Sequence, residues 1–102
     1  MTVRIMLACA AGFSSSMLVE RMKAHANEEQ MDVFIDAVSE ESINKIIDQV
    51  DILLLGPQVN HMEEFLQEKY KNRSVKISVI DSMDYGLMDG KKVLEEALKI
   101  KN

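Results

Sequence analysis

Short apolar runs alternate along the chain with longer segments of mixed character. Four of these runs have the length and composition of β-strands; they cover residues 3–9, 31–38, 51–55 and 75–80. The run at 51–55 stops at Gly56-Pro57, a dipeptide that ends regular structure. The run at 75–80 alternates apolar and polar residues, as strands at a less buried position do. We therefore expect four strands, with the last at an edge of the sheet.

The segments between these runs repeat apolar residues at three- and four-residue intervals, which is typical of amphipathic helices. Helices are predicted over residues 15–29, around 40–47, from 60 to about 70, and over 91–99. Small polar residues stand ready to cap three of these helices; they are Ser14, Ser15 or Ser16 for the first, Ser39 for the second and Asn60 for the third. Residues 81–90 are predicted to form a loop containing at most a short helical turn.

The order β-α-β-α-β-α-β-α predicts an α/β fold with a single doubly wound, four-stranded parallel sheet and helices on both faces. We expect the strand order 2-1-3-4 and one domain over residues 1–102. In such sheets, ligands bind beyond the carboxyl ends of the strands, where the strand order reverses. The loop after strand 1, residues 9–16 (CAAGFSSS), and the loop after strand 3, residues 56–60, would meet at this point.

Composition narrows the classes of partner and the compartment. The chain has 102 residues, of which 47% are hydrophobic, so it can bury a core. Its formal net charge of −5 argues against nucleic acid as a main partner, because polyanions require a basic face. A single cysteine cannot form an internal disulfide, which favours a cytoplasmic protein. No signal peptide or run of about 20 apolar residues is evident in the sequence.

The lone cysteine, Cys9, has two interpretations. A single cysteine is often no more than a small buried apolar side chain. Here, however, it ends a strand and is followed by small residues and then by the start of a helix. Free amides and the positive dipole end of a helix attract an anion and favour the thiolate, which is the nucleophilic form. This placement favours Cys9 as a nucleophile.

The loop after Cys9 is suited to a phosphoryl group. A loop of small residues that runs into a helix can surround a phosphate with backbone N–H donors while a thiolate attacks phosphorus in line. The predicted phosphate-binding residues are Ala10, Ala11, Gly12, Phe13, Ser14, Ser15 and Ser16. At least one of the three serines is expected only to cap the helix.

One residue of the loop bears on whether the phosphoryl group is transferred to another acceptor or hydrolysed. Low-molecular-weight cysteine phosphatases have a comparable loop with Arg six positions after the cysteine, and Ser15 stands at that position here. That Arg clamps the phosphate and stabilises the charge of the transition state. The presence of Ser15 at this position argues against a phosphatase-like enzyme. Such an enzyme and a non-catalytic regulatory domain of the same fold are kept as alternatives.

Three segments together resemble one family. The segments IMLACAAGFSSSMLVERMKAHA, DILLLGPQV and VIDSMDYGLMDGKKVLEEAL are similar, in order and spacing, to those of enzyme IIB of the lactose, cellobiose and diacetylchitobiose branch of the bacterial phosphotransferase system. The resemblance covers nearly the whole chain. It implies a cytoplasmic protein that carries a phosphoryl group on Cys9, within a phosphate loop at residues 10–16. It leaves the identity of the sugar open.

The resemblance also implies the partners. Cys9 would accept the phosphoryl group from a phosphohistidine of enzyme IIA. It would then pass the group to a sugar, usually a β-linked disaccharide, that is carried by the membrane component enzyme IIC. Association with the membrane would be transient and through enzyme IIC, and a monomer is expected for a protein that docks two partners in turn. No metal or organic cofactor is implied.

Three further residues follow strands 3 and 4 and could border the site, namely Gln58, Asp81 and Tyr85. For Asp81 we favour capping of the turn that follows, because an ionised carboxylate repels a phosphate dianion. A neutral Asp81 acting as a general acid is the phosphatase-like alternative. The two histidines, His25 and His61, do not form a metal-binding pattern, and His25 is predicted to lie on the solvated face of the first helix.

Overall fold

The structure is a computed structural model that describes residues 2–9 and 15–101. In this part of the chain, α-helices follow each of four β-strands, and the last strand is followed by two of them. The strands are β1 (Val3–Cys9), β2 (Val33–Ser39), β3 (Ile52–Leu55) and β4 (Lys76–Val79). The helices are α1 (Ser15–Glu28), α2 (Ile43–Ile46), α3 (Glu63–Lys69), α4 (Ser82–Gly86) and α5 (Gly90–Lys101). The four predicted apolar runs are therefore all strands.

The sheet is parallel and has the order β2-β1-β3-β4, which confirms the predicted fold class. Cys9 lies opposite Ser39 of β2, and Ala8 lies opposite Leu55 of β3. All four residues of β3 are buried, whereas no residue of the edge strand β4 is fully buried. The chain passes from β1 to β2 on one side and then to β3 on the other, so the order reverses beside β1.

Apolar side chains fill the space on both faces of the sheet. Helices α1 and α5 pack on one face, where the largest fully buried side chains are Ile5, Leu7, Leu18, Met22, Ile35, Ile52 and Leu94. Helices α2 and α3 cover the other face over Ala8, Leu53 and Leu55. Burial of these residues is the main favourable contribution to folding. Cys9 and Tyr85 both belong to the cluster on the α1 and α5 face.

The second and third predicted helices differ from expectation at their starts. Residues 40–49 form a single α-helical turn, α2, between 3₁₀ segments at Glu40–Ser42 and Ile47–Gln49. The side chain of Ser39 makes no capping hydrogen bond to the 3₁₀ segment that follows it. Its hydroxyl instead lies 3.2 Å from that of Ser42. The prediction that Asn60 caps α3 is wrong. Pro57, with its fixed φ and no N–H, begins a 3₁₀ segment at Pro57–Met62 that contains Asn60.

Each edge strand has one backbone group bonded to a side chain. On β2, the N–H of Ala37 donates to Oδ1 of Asp36 at 2.8 Å. On β4, the carbonyl oxygen of Ile77 accepts from Nε2 of Gln67, a residue of α3, at 3.2 Å. These hydrogen bonds involve backbone groups of the two strands that have a neighbour on one side only.

Candidate functional site

Cys9 is the last residue of β1, and its side chain is only 3% exposed. It lies at the carboxyl end of a central strand, beside the reversal in strand order, which is where parallel sheets of this kind bind ligands. Helix α1 begins six residues later at Ser15, as predicted. A single connection therefore joins the strand end that carries Cys9 to the N-terminus of α1.

Gly56 lets the loop after β3 come close to this sulfur. Its N–H donates to the carbonyl oxygen of Ala8 at 3.0 Å, which joins the ends of β1 and β3. A Cβ placed on Gly56 would lie 3.0 Å from Sγ of Cys9 and 2.4 Å from Oε1 of Gln58. A side chain at position 56 would therefore occupy the space beside the thiol. The sequence marked Gly56 only as a strand breaker, and its second role follows from this close approach.

Gln58 borders the same space. Its amide oxygen and the sulfur of Cys9 both lie next to the point where a Cβ of Gly56 would be. The residue itself is exposed, so the amide can reorient towards a group that arrives at the thiol. Of the predicted border residues, Gln58 is thus brought to the thiol by the 3₁₀ segment that follows β3.

Tyr85 also contacts the sulfur. Its hydroxyl oxygen lies 3.9 Å from Sγ of Cys9, within the range of a hydrogen bond that involves sulfur, and the residue is 7% exposed. The two residues are 76 positions apart in the sequence. Helix α4, which follows the edge strand β4, brings the phenol back to the end of the central strand β1.

Asp81 is the N-cap of α4. Its Oδ2 accepts hydrogen bonds from the N–H groups of Met83 and Asp84, both at 3.1 Å. This geometry confirms the capping interpretation and satisfies two of the free amides at the start of the helix. The carboxylate thereby fixes the start of the short helix that carries Tyr85.

Replacing Asp81 with alanine is expected to lower the free energy of unfolding by about 1–2 kcal/mol, because α4 loses its cap. Asp81→Asn keeps an acceptor oxygen at the cap and is expected to cost less than half as much. The measurement is urea unfolding of both variants. Asn cannot serve as a general acid, so loss of phosphoryl transfer in a stable Asp81→Asn protein would contradict a role limited to capping.

A separate cavity of about 400 Å³ lies between the edge strand β4 and helix α5, and Cys9 does not line it. Asp84, which is 7% exposed, borders this cavity and pairs with Lys92 at 3.6 Å. At its rim, Lys99 donates to Glu96 at 2.9 Å; this hydrogen bond and the opposite charge lower the pKa of Glu96 and raise that of Lys99. The burial of Asp84 was not predicted.

The prediction for His25 is wrong. Its side chain is 12% exposed and lies between α1 and α5, with Nε2 at 3.6 Å from Oε2 of Glu95. The signal was present in the sequence, because His25 stands seven residues after Leu18 and three after Met22, which are intervals of one helix face. His61 is exposed, in the 3₁₀ segment before α3. Within residues 2–9 and 15–101, no three His, Cys, Asp or Glu side chains are grouped as metal ligands.

Most of the predicted phosphate loop lies outside the described residues. This applies to Ala10, Ala11, Gly12, Phe13 and Ser14. Ser15 is the first residue of α1, and Ser16 follows it with an exposed side chain.

None of the helices in the described ranges is both long and apolar enough to cross a membrane.

Comparison with known proteins identifies the family. Residues 4–96 match the model of the family described as PTS system, lactose/cellobiose specific IIB subunit. The oligo-beta-mannoside-specific EIIB component of Bacillus subtilis (strain 168) is 36% identical over 97 residues, covering 95% of this chain and 94% of that protein. The galactose-specific EIIB component of Lactococcus lactis subsp. cremoris (strain MG1363) is 41% identical over 103 residues, with 96% and 95% covered.

A solved structure agrees with these relatives. The solution structure of the cellobiose-specific phosphotransferase IIB component from Borrelia burgdorferi superimposes with a TM-score of 0.83 at 35% sequence identity. The match covers 100% of this chain and 94% of that one. From its sequence and its fold alike, the chain belongs to the lactose/cellobiose-specific family of IIB subunits of the sugar phosphotransferase system.

Proposed function

We propose that Cys9 accepts a phosphoryl group from a phosphohistidine of enzyme IIA and passes it to a sugar carried by enzyme IIC. The observation that carries this proposal is the position of the sulfur. It lies at the carboxyl end of β1, beside Gly56 and the Tyr85 hydroxyl, in the connection that leads to the N-terminus of α1. Strand ends and helix N-termini are where parallel α/β folds bind phosphate groups.

The transfer balances without a further reactant. The Cys9 thiol gives up its proton, and the thiolate forms an S–P bond as the N–P bond of the donor breaks. The departing imidazole takes up a proton and becomes neutral. In the second half, a sugar hydroxyl forms an O–P bond as the S–P bond breaks, the hydroxyl proton is released, and the sulfur leaves as a thiolate. A thiol suits both halves because its anion is a good nucleophile and a good leaving group.

The residues also favour transfer over hydrolysis. Ser15, at the position of the phosphatase arginine, cannot supply the bidentate charge that stabilises attack by water. Turnover of aryl phosphates by the isolated protein would support the phosphatase alternative instead.

The setting of the reaction belongs to the same proposal. Residues 1–102 act as one IIB domain in the cytoplasm, and the domain contacts the membrane only while it is docked on enzyme IIC. The acceptor is a β-linked disaccharide. The names of two similar proteins support a β-linked saccharide, since they specify oligo-beta-mannoside and cellobiose, whereas a third specifies the monosaccharide galactose. The test is mass spectrometry after incubation with phosphorylated IIA, which is expected to show one added phosphoryl group of about 80 Da on the peptide that contains Cys9.

An exposed apolar pair near Tyr85 in the sequence is suited to dock the phosphoryl donor. Met83 and Leu87 are 71% and 66% exposed. The N–H of Leu87 donates to the carbonyl oxygen of Met83 at 2.9 Å, so the two residues lie one turn apart, Met83 in α4 and Leu87 directly after it. Tyr85, between them, turns inward to Cys9. A donor protein seated on this pair would contact the outer side of the helix whose inner side chain, Tyr85, reaches the thiol.

Replacing Met83 and Leu87 together with serine is expected to raise the KM for phosphorylated IIA roughly tenfold, because exposed apolar anchors contribute about 1–2 kcal/mol to an interface. The rate at saturating donor is expected to stay near that of the wild type. Phe34→Ser is the control. Phe34 is also an exposed apolar residue, but it lies near the amino end of β2 under Arg4 at 5.1 Å. An unchanged KM in the double variant would place the donor elsewhere.

A further inference from the structure

The phenol of Tyr85 is one of two buried tyrosine hydroxyls with different kinds of partner. Tyr70 is 4% exposed, and its hydroxyl donates to Oδ1 of Asn44 at 2.9 Å, within the cluster on the α2 and α3 face. Tyr85 is 7% exposed, and its hydroxyl instead meets the sulfur of Cys9. A buried hydroxyl without a hydrogen-bond partner destabilises the folded state. The partner of each buried hydroxyl therefore indicates what that hydroxyl does.

A neutral thiol is a weak partner for a phenol, whereas a thiolate is a strong one. With the thiol protonated, either atom can donate, and the energy gained is small because S–H is a weak donor and sulfur a weak acceptor. Once the thiol ionises, only the tyrosine O–H can donate, and a hydrogen bond to a charged group is roughly twice as strong as one between neutral groups. The contact therefore favours the ionised, nucleophilic form of Cys9.

The same hydroxyl can follow the charge after transfer. When phosphorus binds to Sγ, its oxygens carry the negative charge that the thiolate had. The Tyr85 hydroxyl lies 3.9 Å from the sulfur, which is close enough for it to reach an oxygen of a group bound to that sulfur. A phenol that keeps its proton can donate to either acceptor.

We propose that the Tyr85 hydroxyl is a catalytic hydrogen-bond donor, first to the thiolate of Cys9 and then to an oxygen of the phosphoryl group that the sulfur carries. The second half of this proposal rests on the proposed function of Cys9, and the first half does not. Tyr85 retains its proton throughout, so no proton transfer is added to the reaction. Asp81 supports this role as a positioning residue, because it caps the helix on which Tyr85 lies.

The experiment compares Tyr85→Phe with the matched control Tyr70→Phe, since each removes one buried hydroxyl of the only two tyrosines. The first measurement is the rate of Cys9 alkylation by iodoacetamide as a function of pH. The plateau of that profile depends on access to the buried thiol, whereas its midpoint depends on ionisation. In Tyr85→Phe the midpoint is expected to move to higher pH, because the thiolate loses a hydrogen-bond donor. In Tyr70→Phe it is expected to stay in place.

The second measurement is the rate of phosphoryl transfer from phosphorylated IIA at neutral pH and saturating donor. Tyr85→Phe is expected to be slower than the wild type by roughly tenfold or more, because it loses the donor in both the thiolate and the phosphoryl state. Urea unfolding of the same proteins establishes that they are folded. A Tyr85→Phe protein with an unchanged midpoint and a wild-type transfer rate would overturn the proposal, and so would lowered stability without a change in the midpoint.

A third readout leaves Tyr85 in place. In Tyr70→Phe protein, Tyr85 is the only tyrosine, so the near-ultraviolet absorbance of its phenol is expected to change as Cys9 ionises or is phosphorylated. No change in either step would overturn the proposal. If the midpoint moves in Tyr85→Phe but IIA phosphorylates neither this variant nor the wild type, the contact with the thiolate stands and the proposed transfer function fails.

Discussion

Replacing Cys9 with serine is expected to reduce labelling by phosphorylated IIA by roughly a thousandfold or more, so that no stable adduct remains. Serine is close to cysteine in shape, although the Tyr85 hydroxyl, 3.9 Å from the sulfur, is too far away to bond a serine oxygen at that position. What it lacks is an ionised form at neutral pH, and without an anion there is no nucleophile. The fold is expected to survive, because the strand and its apolar neighbours are unchanged.

The control for this variant tests placement rather than the mere presence of a thiol. Ser74 is exposed in the turn between α3 and β4, at the amino ends of the strands. In Cys9→Ser protein, the added change Ser74→Cys restores one thiol to the chain, away from the carboxyl end of β1. This double variant is expected to stay unlabelled. Labelling of the double variant, or of Cys9→Ser itself at the wild-type level, would contradict a phosphoryl carrier at position 9.

Replacing Gly90 with alanine is expected to lower the free energy of unfolding by about 3 kcal/mol. Gly90 begins α5, and a Cβ there would lie 2.6 Å from the carbonyl carbon of Arg21 and 2.6 Å from the nitrogen of Met22. Both atoms belong to the backbone of α1, so no side chain can turn aside to make room. The two helices would have to separate over the buried Met22 and Leu94.

Gly86→Ala is the matched control for Gly90→Ala. Gly86 lies in α4, and a Cβ there would meet nothing within 4 Å. Alanine is expected to be neutral or to stabilise the protein by up to about 1 kcal/mol, because it restricts the unfolded chain and favours helix. Urea unfolding of both variants gives the comparison. Equal stabilities would mean that α1 and α5 do not approach as closely as Gly90 allows.

The sequence is sufficient to predict the strands because the pattern that specifies each of them is local. The wholly apolar run at 51–55 is the fully buried β3, and the alternating run at 75–80 is the edge strand β4. Helix starts are harder to predict when two caps compete. Asn60 is a good cap in isolation, but Pro57 lies three residues earlier and starts the turn before Asn60 is reached.

The site is predictable at Cys9 and less so around it. Strand 1, the small residues and the helix start lie together in the sequence, so their chemistry is evident there. Tyr85 and Gln58 could be placed only at the right end of the sheet. Whether the phenol points outwards or to the sulfur depends on how α4 packs, and that depends on a cap by Asp81 and on neighbours distant in sequence. Gly56 offers no signal beyond its effect on the strand.

The hydrogen bonds at the two sheet edges have a consequence for how this protein can meet others. An open strand edge invites another chain to add a strand, a route to both aggregation and tight, long-lived complexes. Here the Asp36 carboxylate already binds the N–H of Ala37, and the Gln67 amide binds the carbonyl of Ile77. A strand from another protein would first have to displace these side chains. Contacts made through side chains at the end of the sheet dissociate more easily, which is what the proposed transfer between two successive partners requires.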